Sequence, residues 1–278
     1  MLNIDKIRSI FHPTDFKKNN SIAIAHAIRL SIILNLPLTI LYVGKLEKTE
    51  CRKILYNYLI KWELCKEKES ITEALKRLKI KILIADKMEG SLPDIVLNKL
   101  KTISDVLLVM ATAGREGLPR WLHPSRAEEI ARQSKLPTVF VPEKSKKQYL
   151  ASESGYGYKK ILVPIDHKPN PQVGIHFAHQ LVGLSDAVAQ IIIFHAGEIM
   201  DIPQVEIPKA EKCIWRKLHE PGDPVTNVIN TAKEFDVDLI IMATAGHKGF
   251  MDALLGSVTE KVIRHALCPV IAVPVQNP

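Results

Sequence analysis

The sequence predicts an α/β protein of two tandem doubly wound domains, each a mostly parallel sheet of about five strands with helices on both faces. Three observations predict it. One long segment is written twice, short β-branched apolar runs alternate with amphipathic helical runs, and a polar stretch without apolar periodicity separates the two copies.

The repeat comes first, because missing it would misassign the whole fold. "MATAGREGLPRWLHPSRAEE" (110–129) and "MATAGHKGFMDALLGSVTEK" (242–261) are identical at nine of twenty positions. The same shift of 132 residues aligns "LPTVFVP" with "CPVIAVP" and pairs Gly90 with Gly222. Near the start a shift of 151 pairs Pro13 with Pro164 and Asp15 with Asp166, so the first copy is longer in its middle. Expected boundaries are a first domain over 1–143, a linker over 144–158 and a second domain over 159–278.

In the second copy "KKILVPID" is a short buried strand ending in Asp166, and "AVAQIIIFHA", "VDLIIMAT" and "PVIAVP" are further strands by length and β-branching. Between them, "PQVGIHFAHQLVGL" sets Val173, Phe177 and Leu181 on one helical face. "PVTNVINTAKEF" and "SVTEKVIRHAL" are also helical. Such alternation means right-handed βαβ units and a parallel sheet covered on both faces. The middles differ. The first copy carries "ECRKILYNYLIKWELCKEKESITEALKRL", a long helical pattern grouping Ile54, Tyr58 and Trp62, whereas Pro203 and Pro208 in "EIMDIPQVEIPKAEKCIWRKL" forbid such a helix and predict an extended excursion.

Composition narrows the class. Of 278 residues 46% are hydrophobic and 24% charged, ordinary for a chain with real cores, and no apolar run is long enough for a membrane span. The N-terminus lacks a signal-peptide layout, which predicts a cytoplasmic protein. Cys51, Cys65, Cys213 and Cys268 form no metal or redox spacing. The net charge of +8 raises nucleic acid as a partner, but scattered lysines without interleaved aromatics argue against it. His176 and His179 have metal-compatible spacing with no visible third ligand, and no GxSxG elbow supports a hydrolase.

In open parallel sheets ligands bind beyond the carboxyl ends of the strands, where strand order reverses. The strand "VDLIIMAT" runs out there into Gly246, crosses nine residues and enters a helix through Gly256 and Ser257. Ser257 is expected at the N-cap, leaving the amides of Val258 and Thr259 as free donors at the positive helix end, an arrangement suited to phosphate. No P-loop occurs, and a plain helix cap is the alternative on these residues alone. Asp166 and Asp15 are alternatively caps of the helices that follow them.

The pattern Gly246, nine residues, Gly256-Ser257, together with "ILVPID", resembles the nucleotide-binding signature of the universal stress protein family: Gly, two residues, Gly, nine residues, Gly, then Ser or Thr. Ala243 stands where the first glycine belongs. Both copies counted, the resemblance spans nearly the whole chain. It implies that Asp166 faces the adenosine of ATP, ADP or AMP with Pro164 and Ile165 beside it. Ala196 and Met242 would line the adenine pocket, while Gly246, Gly256, Ser257, Val258 and Thr259 would cradle the phosphates. Mg²⁺ would find no carboxylate but Asp166.

In the first copy Pro124 replaces the aligned glycine. Proline starts a helix well but brings a ring and no N–H, so a helix can persist there while close phosphate approach is lost; Arg126 would then occupy the phosphate space. The first copy is thus expected to be a structural or regulatory partner. Family members commonly pair the last strand across a dimer, and here the two copies are expected to pair with each other as an internal pseudo-dimer, with a homodimer of chains also open. The expected function is a nucleotide-binding stress-response module acting through an unidentified protein partner, with at most slow ATP hydrolysis. The alternatives are an adenylate-forming enzyme, walled by the region of Tyr58 and Trp62, and a nucleotide-free interaction protein.

Overall fold

The computed structural model describes residues 4–17, 21–112, 125–145, 156–245 and 256–275. The first half runs β1 (Ser9–Thr14), α1 (Ser21–Leu34), β2 (Leu38–Val43), α2 (Lys48–Lys61), α3 (Ile71–Arg77), β3 (Ile80–Ala85), α4 (Leu92–Leu100), β4 (Val106–Thr112), α5 (Arg126–Ser134) and β5 (Thr138–Pro142). The second runs β6 (Lys160–Ile165), α6 (Gln172–Gly183), β7 (Ala189–Ala196), β8 (Cys213–Glu220), α7 (Pro224–Glu234), β9 (Leu239–Thr244), α8 (Gly256–His265) and β10 (Val270–Pro274).

All ten strands form one sheet in the order β3-β2-β1-β4-β5-β10-β9-β6-β7-β8. Each half is parallel within itself, and the halves join where β10 pairs antiparallel with β5, Ile271 opposite Val139. The apolar "VFVP" and "IAVP" strands thereby cover each other's edges. In each half the order reverses beside the first strand, between β1 and β4 and between β6 and β9.

The inner strands are apolar on both sides because both faces are covered, whereas β8 at the edge is largely exposed. Along β6, Ile161, Val163 and Ile165 enter one core with α1, α2, α3 and α6, and Leu162 enters the other with α4, α5, α7 and α8. The expected stripe of Val173, Phe177 and Leu181 is buried on α6. Gly90 and Gly222 both take positive φ, 138° and 118°, at the turns that lead into α4 and α7, a conformation that side chains oppose.

Three features depart from the sequence reading. The long helical pattern in the first half breaks: α2 stops at Lys61, Glu63 and Lys68 adopt positive φ, and Ser70 starts α3 through a capping box with Glu73. In the second half the excursion carries only a single turn of 3-10 helix, Ile199–Asp201, yet the run CIWRKLHE that follows is the fifth strand, β8. The stretch between the halves also ends in ordered chain. Arg29 of α1 donates to the carbonyls of Tyr156 and Gly157 and stacks 4.1 Å from the Tyr158 ring, whose hydroxyl meets His26 Nδ1 at 3.1 Å.

Candidate functional site

The carboxyl ends of β6, β7 and β9 converge at the second reversal of strand order. Asp166 follows β6 directly and is exposed; its Oδ1 accepts from the His167 amide at 2.7 Å. It does not cap α6, which begins six residues later at Gln172 behind Pro171. Asp15, its counterpart, accepts from the Lys17 amide. Pro164 is half-buried, and the Ile165 carbonyl accepts from Nδ1 of His195 at 3.2 Å. Because a carbonyl can only accept, Nδ1 of His195 is the donor in this contact.

Ala196 ends β7, half-buried, opposite Glu220. Met242 is buried in the core of α7 and α8, so it can support a ligand only from beneath. Ala243, next along β9, turns the other way and packs against the core of α6. Gly246, His247 and Lys248 lie outside the described residues, as does Pro124.

The described part of α8 begins at Gly256, so Ser257, expected at the cap, lies among its helical residues. Val258 is exposed and Thr259 buried.

The corresponding end of the first half is chemically different. Ser125 caps α5: its Oγ accepts from the Glu128 amide at 3.1 Å, and its own amide donates to the Glu128 carboxylate. That carboxylate is buried and held by Arg264 of α8, at 3.2 Å from Nε and 2.9 Å from Nη2. The pairing raises Arg264 above its ordinary pKa. An anion already sits at the α5 N-terminus, and it is the protein's own. Arg126 is exposed at the first position of α5.

Beside Ile165 a cavity of about 210 Å³ opens under the excursion, between Ile202, Pro203 and Val205 above and Ile193, His195, Lys217, Leu218 and His219 on the strands. It is smaller than the roughly 300–1,000 Å³ of small-molecule clefts. Of the expected site residues only Ile165 lines it. His195 and His219 stack there 6.3 Å apart, and Nε2 of His195 is buried without a partner among the described residues. Sequence reasoning passed over these residues because they meet only through the register of β8, a strand it did not recognise.

Tyr58 and Trp62 do stack, at 5.3 Å, but at the C-terminal end of α2, which packs beside β3, in the other half of the sheet from Asp166. Among the described residues no three His, Cys, Asp or Glu side chains group as metal ligands, and no helix is long and apolar enough to cross a membrane.

Strand order, reversal point and helix layers define a doubly wound α/β protein whose two halves share one sheet. The family model for the universal stress protein family matches residues 204–274. A universal stress protein of Methanocaldococcus jannaschii is 44% identical over 142 residues, 42% of this chain and 82% of that one. Universal stress protein A homolog 1 of Coxiella burnetii is 27% identical over 139 residues, 42% of this chain and 96% of its own. The chain belongs to the universal stress protein family. In fold it is similar over 96% of its length to the crystal structure of a universal stress protein from Archaeoglobus fulgidus, which it covers to 98%, with a TM-score of 0.60 and 18% identity.

Proposed function

We propose that the second half binds an ATP-, ADP- or AMP-type nucleotide where β6, β7 and β9 end, and that the chain works as a nucleotide-responsive binding module. One observation carries the reading: at the reversal point an exposed carboxylate, Asp166, stands at the end of the strand beside the one that leads to α8, and the positive end of a helix favours an anion. Asp166 would take the ribose hydroxyls or a magnesium ion, with Pro164, Ile165 and Ala196 beside the adenosine. The amides of Gly256, Ser257 and Val258 would take phosphate oxygens with the help of the helix dipole, and Thr259 would lie just below. Gly246 would complete the turn.

The methyl of Ala243 is compatible with this. It points toward α6, on the opposite side of the sheet from α8. The first half is proposed to be the silent partner, because Glu128 fills the place a phosphate would need. Boundaries near 143 and 159 follow from the same division. Nucleotide would act by shifting the population of a form that a protein partner recognises, without a fast catalytic step. Since β5 and β10 already satisfy each other, a homodimer of this chain would need another surface.

Calorimetric titration with ATP tests the reading. Gly256→Pro removes one charge-assisted amide bond and blocks close approach, and should weaken ATP roughly 10- to 100-fold with the circular dichroism spectrum intact. Unchanged affinity in a folded Gly256→Pro protein would refute the site.

A further inference from the structure

The corner where the first two strands of a half end is built twice in this chain and filled only once. Thr14 at the end of β1 pairs with Tyr42, and Ile165 at the end of β6 pairs with His195, so Tyr42 and His195 hold equivalent positions. A glycine follows each by two residues, Gly44 and Gly197. In the first half the chain completes the corner itself. Phe16 is buried against Tyr42 with ring centroids 5.7 Å apart, and the Leu46 amide donates to the Tyr42 hydroxyl at 3.4 Å. Under the shift of 151 residues the counterpart of Phe16 is His167, which is exposed. Beside His195 lies the cavity instead.

The properties of that cavity describe its occupant. An apolar cavity of about 150 Å³ takes benzene, so the 210 Å³ found here suits one flat ring or a fused pair and is too small for a nucleotide. Ile165, Ile193, Ile202 and Val205 make much of the wall apolar. One polar demand remains. Nδ1 of His195 donates to the Ile165 carbonyl, while Nε2 is buried without a partner among the described residues. With that single proton on the ring Nε2 is an acceptor, and a ligand that satisfies it must bring a donor. The flank of Nε2 toward Gly197 carries no side chain, and a Cβ there would lie 2.8 Å away. Nε2 of His219 holds the Gly197 carbonyl at 2.7 Å, which keeps the glycine in that place.

The excursion covers the cavity. The side chain of Gln172, at the start of α6, exchanges two hydrogen bonds with the backbone of Glu206, at 2.8 and 3.0 Å. Both lie at the surface, where water can replace them when the cover lifts. Ile165 and Ile193 belong to the core under α6, whereas α8 packs on the other face of the sheet. We propose that this cavity is a second small-molecule site, which takes a flat compound of one or two rings and reads its N–H or O–H group through Nε2 of His195. The ring that Phe16 supplies from within the first half comes from outside in the second. This site does not rest on the nucleotide reading.

Indole and indene test it on the full chain, because they share a shape and only indole carries an N–H. Indole should move the Nε2 signal of His195 in a nitrogen NMR spectrum of the histidine rings, and indene should not. Calorimetry should show indole bound roughly tenfold more tightly than indene. In His195→Phe the two should bind alike. Gln172→Ala removes both bonds to Glu206 and should speed indole release severalfold. Saturating ATP should leave indole binding unchanged, and indole binding in a chain that fails to take ATP would still support the proposal. Binding of neither compound, or equal affinity for both in the unaltered chain, would overturn it. Displacement of indole by ATP would overturn it by making the cavity part of the nucleotide site.

Discussion

Helices α5 and α8 occupy equivalent places in the two halves, and one side of that comparison is a finished cap while the other is the proposed ligand site. In α5 the cap is complete: Ser125 and Glu128 satisfy each other, and the Glu128 carboxylate takes the position where the helix favours an anion. In α8 the aligned pair is Ser257 and Glu260: Ser257 lies among the helical residues and Glu260 approaches Arg264 at 3.9 Å. Under the proposed function, an internal carboxylate stands in the first half where the second would hold an external anion; Arg264, reaching from α8 to Glu128, makes that end a strut between the halves.

The largest effect should come from that strut. Arg264→Ala leaves Glu128 buried without its cation and should cost about 3 kcal/mol, read from the urea unfolding midpoint. A cost below about 1 kcal/mol would mean that the halves do not lean on this contact.

Acid should separate the halves next. The shift of 151 residues that aligns Pro13 with Pro164 also sets His12 against Val163 and His26 against Phe177. Burial, assisted by Arg29, lowers His26 to about 3. Burial also lowers His12 to about 4, against the opposing pull of the Val109 carbonyl and Asp15. Both are depressed in the folded state, so below the ordinary value of 6.5 the unfolded chain binds more protons than the folded one. Stability is then full above about pH 6.5 and falls as pH drops toward about 4. A Tm series should show this slope, and His26→Phe should flatten it. A Tm that rises on acidification would contradict the assignment.

The smallest effect isolates the caps. Ser125→Ala should cost about 1 kcal/mol through the lost cap, whereas Ser257→Ala, inside a helical turn, should stay within about 0.5 kcal/mol. Equal losses in chemical denaturation would show that Ser257 is a cap after all.

The sequence carried much of this architecture because periodicity and repeat are local signals. The strands around "ILVPI" and "LIIMAT", the face of Val173, Phe177 and Leu181, and the turn glycines Gly90 and Gly222 were all readable. What stayed hidden depends on edges or on distance. Strand β8 bears Arg216, Lys217 and Glu220 at an open edge, so it has no continuous apolar run to announce it. The break between α2 and α3 rests on two residues at positive φ that are not glycine. Tyr158 looked like linker, and only tertiary packing against Arg29 and His26 buries it. At the candidate site, the strand-end places of Asp166 and Ala196 could be read from length and pattern. The start of α8 could not, because a serine after a glycine fits a cap and a first turn equally well.

The most direct measurement is the number of nucleotides bound by the full chain, counted by calorimetry with ATP after any co-purified nucleotide has been removed. The site proposed at α8 and the self-capped α5 predict one site per chain, lost in Gly256→Pro and unaffected by Pro124→Gly as long as Glu128 holds its place. Two sites in the unaltered chain, or one that survives Gly256→Pro, would contradict the account.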